Sequence, residues 1–348
     1  MCNIAGYSGS KQAAPILLEM IRKQQYYDGD VCTGVATIHE GKIHYRKIVG
    51  DVDAIIRETD VLDLPGTIGI AHSRPGGNKK DGPLHPFFPA DESLALVTNG
   101  TAPTTKYCAD WDAAADLLDQ NGYVFRHQFE NPKNQSPKLS KNGIKLQPSE
   151  VRVHLIHYYI AQGLTPVQAM LKADVHMYTD AVMVMLHQDH PDSIFCTRTT
   201  RPMNLILENG EAYMATTRYG FPEHLQNEPM MLPLHRGCII TCNGLQITDD
   251  PSEKEPVDEM TPYTYAEGYR RIEALLKSEK APLYFDELEF AIGDMRDLWP
   301  GGHTLVQHAR LVYDLLWQFD REGRLQREVR LQEYTNYSRH RYYFSLKD

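Results

Sequence analysis

Cys2 stands directly behind the initiator methionine, and a residue this small at position 2 is expected to be uncovered by removal of Met1. Its thiol and a free α-amino group would then sit on one carbon. That pairing is either a nucleophile with a built-in partner or a position of no consequence, and "MCNIAGYSGS" alone leaves both open. Two later stretches also end apolar runs in polar residues: "TIGIAHSRPGGNKKDGPLHPF" delivers His72-Ser73-Arg74, and "LALVTNGTAP" delivers Thr98-Asn99-Gly100. An arginine at a strand end suits a carboxylate ligand, because guanidinium binds carboxylate through a planar two-bond fork. Gly76 and Gly77 behind it would let that ligand approach the backbone. Taken singly, Arg74 also reads as a surface arginine and Asn99-Gly100 as a turn.

The elements that must position these residues are legible as patterns. Runs of β type cover 2–8, 32–39, 42–49, 67–74 and 94–99. Between the first two, Ile16, Leu17, Met20 and Ile21 recur at helical spacing. "PSEVRVHLIHYYIAQGL" opens with Pro148-Ser149 and predicts a helix to about Gln162; a second starts at Thr165, with Pro166 in its first turn. Strands return over 180–187, 193–199, 204–208, 211–216 and 238–242. Strands, two helices, then strands again fit a two-sheet core with helices outside better than a doubly wound parallel sheet. The polar stretch 131–147 reads as an exposed loop.

The chain has 348 residues, 42% hydrophobic and 24% charged, which is the composition of a soluble globular protein of more than one domain. No apolar run is long enough to span a bilayer, and no basic-then-apolar leader opens the chain. Six cysteines in a chain this long do not form a disulfide framework, so a reducing cytoplasmic compartment is expected. Cys238 and Cys242, and the pair His154 and His157, lack further ligands at short spacing. No metal and no cofactor is expected. The net charge of −10 argues against nonspecific nucleic-acid binding by the whole molecule.

Residues 249–262, acidic and proline-containing, read as a linker that separates a domain over 1–248 from a smaller one over 263–348. The smaller unit shows three amphipathic segments followed by two alternating strands, an order like that of a winged-helix domain. Arg321, Arg324, Arg327, Arg330, Arg339 and Arg341 gather around the expected hairpin, where they could face a phosphate backbone, solvent or protein. With 13 Lys/Arg against 14 Asp/Glu over 262–348, the unit as a whole is not basic.

The order of motifs over about 2–248 resembles the class II glutamine amidotransferases, and most of all the glutaminase domain of glutamine–fructose-6-phosphate aminotransferase. Met1-Cys2-Asn3-Ile4-Ala5-Gly6-Tyr7 is similar to that family's Met-Cys-Gly-Ile-x-Gly-Tyr. Gly34-Val35-Ala36, His72-Ser73-Arg74, His85-Pro86, Val97-Thr98-Asn99-Gly100 and Ser149-Glu150-Val151 follow in the family's order. The resemblance implies an N-terminal-nucleophile αββα sandwich. It implies that Cys2 attacks a side-chain amide with its own α-amine as base, that Asn99 and the Gly100 N–H hold the tetrahedral oxyanion, and that Arg74 grips the α-carboxylate of glutamine. His85 and Gly76 fall within the substrate-binding segments. The family's Arg-Trp-Ala-Thr-His-Gly continues here as Arg74-Pro75-Gly76-Gly77-Asn78, without the threonine and histidine. The family's aspartate for the substrate amine falls on Pro148 when counted back from the helix, or on Glu130 when counted forward from Gly122-Tyr123.

The sugar-phosphate isomerase domains of that aminotransferase find no room before Asp348. The expected product is therefore ammonia, released freely or passed to a partner protein. The alternative is an impaired domain that senses a ligand and regulates through its C-terminal unit, on DNA or protein. Oligomeric state is not readable from these patterns.

Overall fold

A computed structural model describes residues 2–76, 84–100, 111–127, 146–252, 254, 256–278, 281–334 and 337–347. Strand β1 (Asn3–Ser8) leads into helix α1 (Ala13–Asp28), strands β2 (Cys32–His39) and β3 (Lys42–Val49), helix α2 (Val52–Glu58), and strands β4 (Ile68–Arg74) and β5 (Leu94–Asn99). Helices α3 (Trp111–Gln120), α4 (Pro148–Ala161) and α5 (Pro166–His176) come next. Strands β6 (Val182–His187), β7 (Ile194–Arg198), β8 (Asn204–Glu208), β9 (Glu211–Ala215), β10 (Met230–Met231), β11 (Arg236–Thr241) and β12 (Gly244–Asp249) follow. The chain ends in α6 (Pro262–Ser278), β13 (Leu283–Tyr284), α7 (Phe285–Asp294), α8 (His308–Arg321), β14 (Leu325–Glu333) and β15 (Ser338–Leu346).

One antiparallel sheet has the order β10-β8-β9-β1-β4-β2-β3, and a second has β12-β11-β7-β6-β5. They stack face to face. The side-chain period of two decides what each residue meets. Ile4, Ala36 and Ile70 point between the sheets, where they pack on Ala95, Val97, Val182 and Val184. Their neighbours Ala5, Val35 and Ala71 point outward and are covered by Leu17, Leu18 and Ile21 of α1. On the other outer face, Leu94, Leu96, Met183 and Met185 pack under Val151, Leu155, Ala169 and Met170 of α4 and α5. Burial on both faces explains why the strands read as nearly continuous apolar runs. The result is a mixed α/β fold of helix, sheet, sheet and helix layers.

The helix ends are written locally. Thr165 and Gln168 form a reciprocal capping box with Pro166 in the first turn of α5, and the Asp51 carboxylate accepts from the Ala54 N–H at the start of α2. Helices α2 and α3 and strands β10, β12 and β13 are elements that the sequence reading did not include.

The third sheet, β13-β15-β14, packs with α6, α7 and α8 on one core. Tyr27, from the end of α1, belongs to that same core, stacked on Tyr219 at 4.7 Å and accepting from Arg327 at 2.6 Å. The 249–262 stretch is pinned to the sandwich as well: Lys254, buried, lies 2.8 Å from Asp174 and 2.7 Å from Asp250. Among the described residues, no helix is long and apolar enough to cross a membrane.

Gly34 shows why one short motif needs its glycine. A Cβ there would lie 2.0 Å from the His85 carbonyl oxygen. Gly34→Ala is expected to cost about 3 kcal/mol, because neither backbone can yield, read as a fall in the urea midpoint at unchanged slope.

Candidate active site

Cys2 and Arg74 are brought together by strand register. Asn3 pairs with Ser73 across β1 and β4, so the next step outward sets Cys2 opposite Arg74, which in turn faces Cys32 of β2. The start of β1 is held from several sides. The Asn3 amide donates to the Gln24 carbonyl at 2.7 Å, Gln24 donates to the Ile4 carbonyl at 3.0 Å, and the Ile4 N–H donates to the Thr216 hydroxyl at 2.8 Å. Such a lattice keeps the Cys2 carbon from wandering, as a reactive geometry would require.

Asn99 comes from the other sheet. The Cys2 N–H donates to Asn99 Oδ1 at 3.0 Å, across a sequence gap of 97 residues. An acceptor role for Oδ1 fixes the side-chain amide, so that its NH2 end is the donor. Asn99 pairs with Val182, which sets Gly100 against Ala181. A Cβ on Gly100 would lie 2.6 Å from the Ala181 Cα, so the backbone reaches this position only without a side chain.

The Cys2 thiol is half-buried. Burial pushes its pKa up, while the charges of Arg74, Arg201 and Arg339 work in the opposite direction. Of these, the sequence pointed to Arg74 as a ligand of this site and placed Arg339 only among the hairpin arginines. Arg201 carried no motif, and nothing local ties either arginine to Cys2, since both lie far from it in the chain.

His85 occupies the layer behind Asn99. Its Nε2 is 3.1 Å from the Ser149 hydroxyl and 3.3 Å from the Thr98 hydroxyl, and its ring lies 4.0 Å from that of His72, which is 3.2 Å from the Thr98 carbonyl. This cluster ties β4, β5 and α4 together beneath the site. Gly76 ends the described segment after Arg74, and Tyr337 covers it: a Cβ there would be 2.9 Å from the Tyr337 oxygen. Glu130 lies outside the described residues, as do 131–145. Among the described residues, no group of three or more His, Cys, Asp or Glu is arranged to hold a metal ion.

Both histidines are neutral in the folded protein. Burial, reinforced by the Arg74 charge, pushes His72 down to about 3, and burial together with His72 and Arg74 holds His85 well below the ordinary imidazole range. The unfolded chain therefore binds more protons than the folded one below the ordinary histidine value. Stability should fall as pH drops from about 6.5 toward 3, by about 1.4 kcal/mol per pH unit for each ring. His72→Gln is expected to flatten the difference between urea midpoints measured at pH 7 and pH 5.

A glutamine–fructose-6-phosphate aminotransferase of Caldanaerobacter subterraneus subsp. tengcongensis is 30% identical to the chain over 252 residues, covering 72% of the chain and 37% of that relative. Another protein of that name, from Pyrococcus horikoshii, is 27% identical over 218 residues, covering 62% of the chain and 32% of the relative. The solved structure of glutamine phosphoribosylpyrophosphate amidotransferase from B. subtilis superposes with a TM-score of 0.58 at 13% identity, over 81% of the chain and 60% of that structure. The chain is related to the class II glutamine amidotransferases. It shares their N-terminal-nucleophile fold of mixed α/β layers with antiparallel sheets. The chain spans about a third of the length of the curated relatives it matches. No family model matches it.

Proposed function

We propose that the protein hydrolyses the side-chain amide of glutamine, releasing ammonia through a thioester on Cys2. The observation that supports this most is the hydrogen bond from the Cys2 N–H to Asn99 Oδ1 at 3.0 Å, which joins nucleophile and oxyanion donor across two sheets. With Met1 removed, the Cys2 amine takes the thiol proton, and the thiolate attacks the amide carbon. Negative charge collects on the former carbonyl oxygen, where the Asn99 NH2 and the Gly100 N–H donate; one such donor contributes about 3 kcal/mol in comparable sites. The C–N bond breaks as the protonated amine returns its proton to the departing nitrogen, so ammonia leaves. Water then attacks the thioester, releasing glutamate and the thiol.

In this reading Arg74 holds the α-carboxylate by its two-bond fork. Glu130 is the proposed holder of the α-ammonium, and His85, from behind Asn99, is a support of the pocket rather than a proton carrier, since its ring stays neutral. Residues 1–248 form the amidotransferase-like unit, 249–262 the connection and 263–348 a C-terminal unit of winged-helix-like element order. Each of the six arginines around its hairpin pairs with a carboxylate, from Arg321 with Glu228 to Arg341 with Asp286. That disfavours a phosphate-binding use. The ammonia acceptor is a partner protein or a further domain.

Ammonia and glutamate release from glutamine, beside a panel of other amides, tests the substrate. Intact-mass spectrometry after reaction with an electrophilic glutamine analogue tests the nucleophile: one adduct on a chain that begins at Cys2 is expected, and an adduct that persists in Cys2→Ala would count against it.

A further inference from the structure

The C-terminal unit reaches the site from two directions. On the Arg74 side, the phenol of Tyr337 fills the space into which a side chain at Gly76 would project, 2.9 Å from the position of such a Cβ at its oxygen and 3.2 Å at Cζ. Two residues on, Arg339 is 3% exposed and donates to Asp28 Oδ1 at 2.6 Å, with Asp286 Oδ2 at 3.5 Å. The His340 N–H donates to Asp30 Oδ2 at 2.6 Å, and the Asp30 N–H donates to the Ser73 hydroxyl at 3.1 Å. A path of hydrogen bonds, part-buried at His340 and buried at Ser73, therefore runs from the hairpin through Asp30, two residues past the end of α1, to the residue before Arg74.

On the Asn99 side, Arg201 pairs with Asp180 at 2.5 Å and with Glu289 of α7, while His308 of α8 lies 3.0 Å from Glu289. Asp180 precedes Ala181, the residue that backs Gly100. Helix α7 thus carries Asp286 and Glu289 one turn apart, each tied to a different flank of the site. Buried pairs of this kind resist being opened, since removing one partner strands the other charge.

We propose that Tyr337 and Arg339 are positioning residues of the amidase site, so that the C-terminal hairpin forms one wall of the glutamine pocket and holds the Arg74–Gly76 segment in its substrate-binding shape. This rests on the amidase reading above. Neither residue exchanges a proton or forms a bond with substrate; Tyr337 shapes the backbone turn, and Arg339 fixes the carboxylates that anchor it while adding positive charge near the thiol.

The full chain, with Met1 removed, decides it. Tyr337→Ala should raise KM for glutamine about 10-fold with kcat changed by less than about 3-fold, and Tyr337→Phe should restore most of the loss. Arg339→Ala should raise KM and also shift the pH midpoint of Cys2 alkylation by iodoacetamide upward by about half a unit, whereas Arg339→Lys should restore the midpoint. Unchanged KM in Tyr337→Ala, or an unmoved alkylation midpoint in a folded Arg339→Ala, would overturn the proposal. If Arg339→Ala does not fold, the Tyr337 pair decides alone. If the unaltered protein turns over no glutamine, the amidase reading falls instead, and the alkylation midpoints still decide whether the hairpin acts on the thiol.

Discussion

Cys2→Ala is expected to lower glutamine-dependent ammonia release by about 10⁴-fold or more, since the thioester of this reading forms on the Cys2 thiol. The geometry makes the test a strict one. Cys32, the thiol across the sheet from Arg74, is buried, and burial pushes its pKa up to about 11, so it stays protonated at neutral pH. Cys196 and Cys238 lie in the core and cannot substitute. Cys2→Ser should fall between, because it keeps the α-amine as base but offers a less acidic nucleophile. Ammonia release and rapid-quench mass analysis for the thioester check both variants. Residual activity within about 10-fold of the unaltered enzyme would exclude a Cys2 thioester.

Asn99→Ala carries the second large effect: kcat should fall by about 10²- to 10³-fold while KM changes little, because the interaction lost is made with charge that exists only in the transition state. A complication comes from Asn99's other role, since its Oδ1 accepts from Cys2 N. Two causes for the same loss can be separated. If Asn99 acts mainly on the oxyanion, the rate and pH midpoint of Cys2 alkylation should stay near those of the parent. If it acts mainly by orienting the nucleophile, both should change together with kcat. Asn99→Asp should be at least as damaging, as it sets a negative charge where negative charge must develop. Gly100→Ala is a poorer probe, because a Cβ 2.6 Å from the Ala181 Cα disturbs the backbone itself.

The layered architecture was legible because burial on both faces leaves strands almost wholly apolar and helices marked by spacing and caps: Thr165-Pro166 and Pro148-Ser149 open helices where they were expected to. Short elements escaped. Val52–Glu58 is only about two turns long, and Gly244–Asp249 has no buried residue, so neither stands out as a core-facing pattern. Cys2 ahead of the first apolar run and the polar tips after two later ones were visible as candidates for chemistry, each with an innocent local explanation of its own.

The sequence by itself determined the residue types available to the site, the strands that carry them, and the family whose motif order they follow, because each of these is encoded within a few neighbouring residues. Only the tertiary structure decided that Cys2 stands beside Arg74 through the Asn3–Ser73 register and meets Asn99 from the opposing sheet. It alone decided that Tyr337 lies against Gly76 and Arg339 against Asp28, pairings more than 260 and 300 residues apart in the chain. Pairings of that range depend on which buried charge finds a partner once two units share a core around Tyr27. No local pattern records that choice, because it is settled by the free energy of the assembled whole.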